Sequence, residues 1–281
     1  MIIGIIGQGF VGSAIREGLG AFYEVLTYDL DTAKSNSTHE NLCSRADIIF
    51  VCLPTPMRKD GSCDTRILES AILEIEKRCP EKRSPILVIK STVPPGTTAR
   101  ISRATRLPVC FSPEFLTEAN SFEDFKNQTR IIIGGPRPAT GTVKQMFRKA
   151  FPTIPIVKTG TKTAEMVKYF TNCFLATKVT FANEMYEICE SSGIDYDKVS
   201  EYALYDTRIG KTHLAVPGPD GDRGFGGHCF PKDLAAMIKF SEVSGVPRER
   251  SDLLRQVRDS NEVYRTERDW ESMKGRAVSE D

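Results

Sequence analysis

The chain has 281 residues, enough for two domains of ordinary size. Its 38 basic and 37 acidic side chains leave a net charge of +1, which excludes the electrostatic footprint of a nucleic-acid or anionic-membrane binder. No apolar run approaches the ~20 residues that span a bilayer, and no basic, cleavable leader precedes the first strand-like run.

Ile2 to Ile6 is a short apolar run followed at once by Gly7-Gln8-Gly9-Phe10-Val11-Gly12. Helix-compatible residues continue to about Ala21, and a second apolar run, Val25 to Tyr28, ends in Asp29. Strand, glycine turn, helix, strand and acid in that order form the dinucleotide-binding fingerprint. Gly7 makes the tight turn, Gly9 admits a pyrophosphate to the backbone, and Gly12 lets helix and strand pack closely. Asp29 accepts hydrogen bonds from ribose hydroxyls and repels a 2′-phosphate, which predicts NAD rather than NADP.

Further apolar runs follow at Ile48 to Leu53, Ile86 to Ile89, Val109 to Phe111, Ile131 to Ile133 and Ile154 to Val157. Helix-like stretches lie between several of them, notably Arg66 to Lys77 and Thr142 to Phe151. Runs that are apolar throughout, without alternation, predict a parallel sheet covered on both faces. Residues 1–157 therefore form one doubly wound α/β domain, with ligands beyond the carboxyl ends of its strands. Polar, proline-marked segments sit at those ends: Pro54-Thr55-Pro56, Lys90-Ser91-Thr92-Val93-Pro94-Pro95-Gly96 and Ser112-Pro113-Glu114.

After Lys158 the period changes. Val167, Phe170, Phe174, Phe181, Met185 and Ile188 recur at helical spacing, which predicts one long amphipathic helix stopped by Gly193. Such a helix outruns a single small domain, so a homodimer built on residues 161–190 is expected. Lys168 and Asn172, four apart, share one face, a pair that by itself is usually just solvated. Two more helices are expected, Lys232 to Ser244 and Arg250 to about Met273, and then a frayed tail from Lys274 to Asp281. Residues 158–281 thus read as an all-helical second domain.

Within it stands Gly224-Phe225-Gly226-Gly227-His228-Cys229-Phe230-Pro231-Lys232-Asp233. Pro231 can start a helix, which places Cys229 just before its N-terminus, where the helix dipole and Lys232 favour a thiolate nucleophile. A small core cysteine is the alternative, and the polar, turn-forming flanks fit it poorly. The eight cysteines include no CxxC pair and the three histidines are scattered. Reduced thiols in a cytoplasm suit this pattern better than disulfides or a metal centre.

Together these segments resemble the UDP-glucose/GDP-mannose 6-dehydrogenase family. The resemblance is carried in order by Gly7 to Gly12, Val51-Cys52-Leu53-Pro54-Thr55-Pro56, Lys90 to Pro94, Ser112-Pro113-Glu114-Phe115-Leu116-Thr117-Glu118, Thr129-Arg130-Ile131-Ile132-Ile133-Gly134, Ala164-Glu165 with Lys168 and Asn172, and Gly224 to Asp233. It implies an N-terminal Rossmann domain, a helical central domain that dimerises through the long helix, and NAD-dependent four-electron oxidation of a nucleotide-sugar C6 alcohol. It further implies Cys229 as nucleophile, Lys168 as oxyanion stabiliser, Asn172 and Asp233 holding a water, Glu114 as general base, and Thr92 beside them. The cofactor would meet Gly7, Gly9, Phe10, Val11, Gly12, Asp29, Lys34, Thr55, Thr92, Glu118 and Lys232. The sugar would meet Glu114, Phe115, Leu116, Lys168, Asn172, Phe225 and Gly226.

Two departures accompany the resemblance. His228 stands where the family usually has a small residue; it either tunes the thiol or faces solvent. The family also continues into a third domain that grips the nucleotide. Either this sequence is a piece of a longer protein, or it works without that grip, or a separate chain supplies it. Weak, poorly saturating turnover of UDP-glucose by these 281 residues is expected unless a partner completes the site. The alternatives are a two-domain 3-hydroxyacid-type dehydrogenase, which needs one hydride transfer and no thiol, and a catalytically idle NAD-binding protein.

Overall fold

A computed structural model describes residues 1–280. The chain divides into two compact units. The first comprises Met1–Thr55 and Thr65–Lys168; the second comprises Pro56–Asp64 and the chain from Tyr169 onward.

The first unit is built on a seven-stranded sheet of β1 (Ile2–Ile6), β2 (Glu24–Tyr28), β3 (Ile48–Val51), β4 (Ile86–Ile89), β5 (Val109–Phe111), β6 (Ile131–Gly134) and β7 (Ile156–Thr159). Its strand order is β2-β1-β3-β4-β5-β6-β7. Six helices accompany the strands: α1 (Phe10–Gly20), α2 (His39–Arg45), α3 (Arg66–Arg78), α4 (Thr97–Ala104), α5 (Ser121–Lys126) and α6 (Ala139–Ala150). Alternate residues of one strand fall into opposite cores, as the strand period of two requires. Ile3, Ile5, Ile48, Phe50 and Val88 pack on one face, and Ile6, Ile49, Val51, Leu87 and Ile89 on the other. Both faces are dry, which is why these strands are apolar at every position.

The sheet departs from the all-parallel expectation at one place. β5 and β6 pair antiparallel, Phe111 opposite Gly134, while every other pairing is parallel. The segment between them supplies only a short helix of six residues. It forms the loop around Glu114 and then α5, whose Phe125 ring occupies the space a Cβ on Gly18 of α1 would need.

Helix α7 (Thr161–Ser192) runs as one element, its first eight residues belonging to the first unit. Gly193 ends it with φ +68°, and Ile194 N donates back to Cys189 O at 2.9 Å. The second unit adds α8 (Tyr196–Ala203), α9 (Phe230–Val243), α10 (Asp252–Tyr264) and α11 (Asp269–Ser272).

Two expectations need correction in this unit. The helix predicted from Arg250 to about Met273 breaks after Tyr264. Asp222 captures the Thr266 and Glu267 amides, at 3.1 and 3.0 Å, that helix carbonyls would otherwise accept. The described residues of the tail expected to fray, 274–280, are pinned instead, and Asp281 lies outside the described residues. Met57 N donates to Ala277 O at 2.8 Å and Ser279 N to Met57 O at 2.7 Å, with Ala277 only 1% exposed.

Candidate active site

In the first unit the glycine turn has the geometry its spacing predicts. Gly7 has φ +89°, and a Cβ there would strike the Cys52 carbonyl, while one on Gly12 would strike the Gly7 carbonyl. A Cβ on Gly9 would meet nothing within 4 Å, so the backbone beside Phe10 and Val11 lies open to a ligand. Asp29 ends β2 with its carboxylate held by the Gln8 amide at 2.6 Å and the Asp31 amide at 2.9 Å. Lys34 is exposed and pairs with Asp31 at 3.4 Å. Thr55 and Thr92 are buried together, Thr55 Oγ1 donating to the Thr92 carbonyl at 2.8 Å. These residues fit a dinucleotide: a cradle without side chains, and a fixed carboxylate one strand away.

Beyond the end of β5, Glu114 is buried among cations. Lys168 Nζ lies 2.9 Å from its Oε1, and the Leu116 amide donates to Oε2 at 2.7 Å. Burial alone would raise the Glu114 pKa; Lys168, the Leu116 amide and Lys90 outweigh it and hold the carboxyl below its usual range. The Phe115 ring carries two cations, the Arg130 guanidinium 4.0 Å and the Lys168 ammonium 5.7 Å from its centroid. A cavity of about 210 Å³ opens here, lined by Val11, Lys90, Glu114, Phe115, Leu116 and Arg130 among others. Glu118 lies farther along the loop and is exposed.

Lys90 stands in a strand-end segment and a motif of the sequence, which assign it no role. It is buried, and its Nζ donates to the Pro113 carbonyl at 3.1 Å, fastening the peptide that precedes Glu114. Burial lowers its pKa to about 8, although Cys52 and Glu114 favour the charge; Lys168 opposes it. Glu165 was quoted only as part of a motif. It is fully buried, and its two oxygens take the Gly96 and Thr98 amides at 2.6 and 2.7 Å, capping α4.

In the second unit Cys229 is the N-cap residue of α9, with proline in the first turn behind it. It is half-buried, as is His228. Directly below, Lys232 and Asp233 form a buried ion pair through Asp233 Oδ1, and Asn172 Nδ2 donates to Oδ2 at 2.6 Å. Burial works against the Lys232 charge, and Asp233 more than restores it, with Cys63 and Cys229 contributing, so its pKa is raised. Lys168 and Asn172, four apart on α7, are 3% and 5% exposed, so neither is the solvated residue its spacing alone suggested.

The glycine loop is held on both sides. Asn261 accepts from the Phe225 amide at 2.7 Å and donates to the Phe225 carbonyl at 3.0 Å. The Phe225 ring is buried against Phe230, their centroids 6.0 Å apart. Gly227 has φ +71°, and its amide donates to both oxygens of Asp269 at 3.1 and 3.0 Å. No cluster of three or more potential metal-ligating side chains occurs among the described residues. Nor is any helix there long and apolar enough to cross a membrane.

Residues 23–151 match the NAD binding domain of the UDP-glucose/GDP-mannose dehydrogenase family, and residues 162–263 match its central domain. The chain belongs to this family. It is 35% identical to the UDP-glucose 6-dehydrogenase YwqF of Bacillus subtilis over 79% of this chain and 50% of that protein. It thus spans about half the length of the curated relatives it matches. Among solved structures, a UDP-glucose dehydrogenase from the hyperthermophilic archaeon Pyrobaculum islandicum superposes with a TM-score of 0.81 at 29% identity. That match covers 92% of this chain and 68% of the other. The 3-hydroxyisobutyrate dehydrogenase of Mycobacterium tuberculosis shares the fold, with a TM-score of 0.72 at 16% identity over 94% and 93% of the two chains.

Proposed function

We propose that this chain takes part in the NAD-dependent oxidation of a nucleotide-sugar C6 alcohol to the carboxylate, through a covalent intermediate on Cys229. The observation that supports this reading most is the setting of Cys229: a half-buried thiol at a helix N-terminus above the fully paired Asn172–Asp233–Lys232 network. Two NAD molecules, bound successively at the glycine turn, would each accept one hydride, the first of which takes the C6 alcohol to the aldehyde.

The Cys229 thiolate adds to the C6 aldehyde, giving a thiohemiacetal, and the helix dipole at its position favours the negative sulfur. Oxidation at that carbon leaves a thioester on Cys229. Lys168, buried and charged, stabilises the oxyanion that develops at each addition. Asn172 and Asp233 orient the water that releases the carboxylate and returns the thiol. Glu114 is kept ionised by its surroundings, so it can accept a proton from that water. Thr55, Thr92, Glu118, Lys34 and Lys232 complete the cofactor contacts, and Phe115, Leu116, Phe225 and Gly226 those of the sugar. Residues 1–157 then serve as the cofactor domain and 158–281 as the thiol-bearing one. The eight free cysteines suit a reducing cytoplasm.

We further infer a homodimer through α7. Phe170, Phe174, Phe181 and Ile188 are exposed, Phe170 at 71%, and their spacing puts them on one narrow face of the helix.

A panel of nucleotide sugars, each incubated with the chain and NAD and followed by NADH absorbance, tests the reading. Reduction with at least one sugar nucleotide, lost in Cys229→Ala at the second oxidation, is the expected result. No reduction with any of them contradicts it. A two-domain dehydrogenase with one hydride transfer has no use for Cys229, and the product aldehyde would accumulate.

A further inference from the structure

At the end of α10, Arg265 is 7% exposed and three carboxylates converge on its guanidinium. Asp220 lies at 2.7 Å, Asp222 at 3.4 Å and Asp269 at 3.6 Å. Its Nε also donates to the Glu267 carbonyl at 2.8 Å. Each carboxylate holds backbone in turn. Asp222 takes the Arg223 amide at 2.7 Å as well as those of Thr266 and Glu267, Asp220 takes the Asp222 amide at 3.3 Å, and Asp269 takes the Gly227 amide with both oxygens. Gly226 lies directly on this cluster, since a Cβ there would run into the Arg265 guanidinium and stand 2.6 Å from Asp269 Oδ1. Only His228 separates the amide so held from Cys229.

We propose that Arg265 and Asp269 are positioning residues for Cys229, bracing the glycine loop so that the thiol is held at the start of α9. The inference rests on reading Cys229 as the nucleophile. A loop with three glycines in four residues has more backbone freedom to lose than one of ordinary composition, so an external brace helps to hold one conformation. The planar guanidinium suits this work because its donors point in fixed directions and can engage several carboxylates at once. Asp269 acts only on backbone and on Arg265, and neither residue takes part in bond making.

The test uses the full chain with Asp269→Ala, Asp269→Asn and Arg265→Lys, and two measurements. In peptide-level hydrogen exchange, Asp269→Ala is expected to speed exchange across Phe225 to Phe230 by about tenfold, the worth of one charge-assisted hydrogen bond. Asn keeps an acceptor for Gly227 and should restore most of that protection, while Arg265→Lys, lacking the fork, should not. In turnover with a nucleotide sugar, Asp269→Ala should lower kcat by about tenfold with KM within about twofold, and Asp269→Asn should recover it. Unchanged exchange in Asp269→Ala overturns the brace. A loosened loop with unchanged kcat overturns its role in placing Cys229. Absence of any turnover in the wild type would instead remove the reading of Cys229, and exchange alone would then decide whether the brace exists.

Discussion

Lys90 and Lys168 are both buried in the first unit and both bear on Glu114, yet they meet different demands. Lys168 is paired directly with the carboxylate, at 2.9 Å, whereas Lys90 spends its hydrogen bond on the Pro113 carbonyl. The consequence is measurable in stability. The unfolded chain keeps the Lys90 proton up to the ordinary lysine value of 10.5, and the folded chain only to about 8. Between those values the unfolded state binds more protons, so folding is favoured as pH rises. The stability of the wild type relative to Lys90→Met should therefore grow by up to about 3 kcal/mol between about pH 7 and about pH 10. Urea unfolding of both proteins at the two pH values measures it, and a constant or shrinking difference contradicts the account. Asp29 offers a second test at this scale. Its carboxylate is fixed by two backbone amides and cannot swing aside for a 2′-phosphate without losing them. NAD should bind at least about a hundredfold more tightly than NADP, the cost of several kcal/mol for juxtaposed like charges; equal affinities in calorimetry would refute this.

Among the elements, α7 carries the largest consequence. A helix of 32 residues spans about 48 Å, and in the second unit its phenylalanines are left in solvent, Phe170 stacked on Phe174 at 6.5 Å between ring centroids. If a second copy covers this face, the double variant Phe174→Glu, Phe181→Glu should be monomeric by light scattering at micromolar concentration while the wild type is dimeric. A monomeric wild type would contradict the proposal. The legibility of these elements in the sequence follows their locality. The glycine turn, the apolar strands and the helix ended by Gly193 are each specified by residues a few positions apart, so period and turn chemistry sufficed. The break after Tyr264 is not local: it depends on Asp222, more than forty positions earlier, capturing two amides. The anchoring of Ala277 and Ser279 depends on Met57, still farther away, and no composition signal marks either event. The site divides the same way. Cys229 is marked by its flanking residues and Glu114 by the family resemblance, whereas Lys90, Arg265 and Asp269 acquire significance only through the groups that folding brings to them.

At the scale of the whole molecule, two chain segments that are distant in sequence build the second unit, so residues 56–64 and the α9 helix fold as one body. Gly61 faces Ala235 on α9, and Asp60 pairs with Lys239 at 3.6 Å. Residues 56–64 thus brace α9, whose Asp233 also accepts from Asn172 of α7 at 2.6 Å, and such support from more than one element suits a site that must keep its geometry through two successive oxidations. The account stands on Cys229 carrying the sugar between those oxidations. The direct measurement is a single turnover with enzyme in excess over a nucleotide sugar that the chain oxidises, counting NADH per sugar and weighing the Cys229 peptide after acid quench. Two NADH per sugar, with a mass adduct of the acyl sugar on Cys229 that disappears as carboxylate forms, is the predicted result. One NADH per sugar with free aldehyde and an unmodified Cys229 would contradict it.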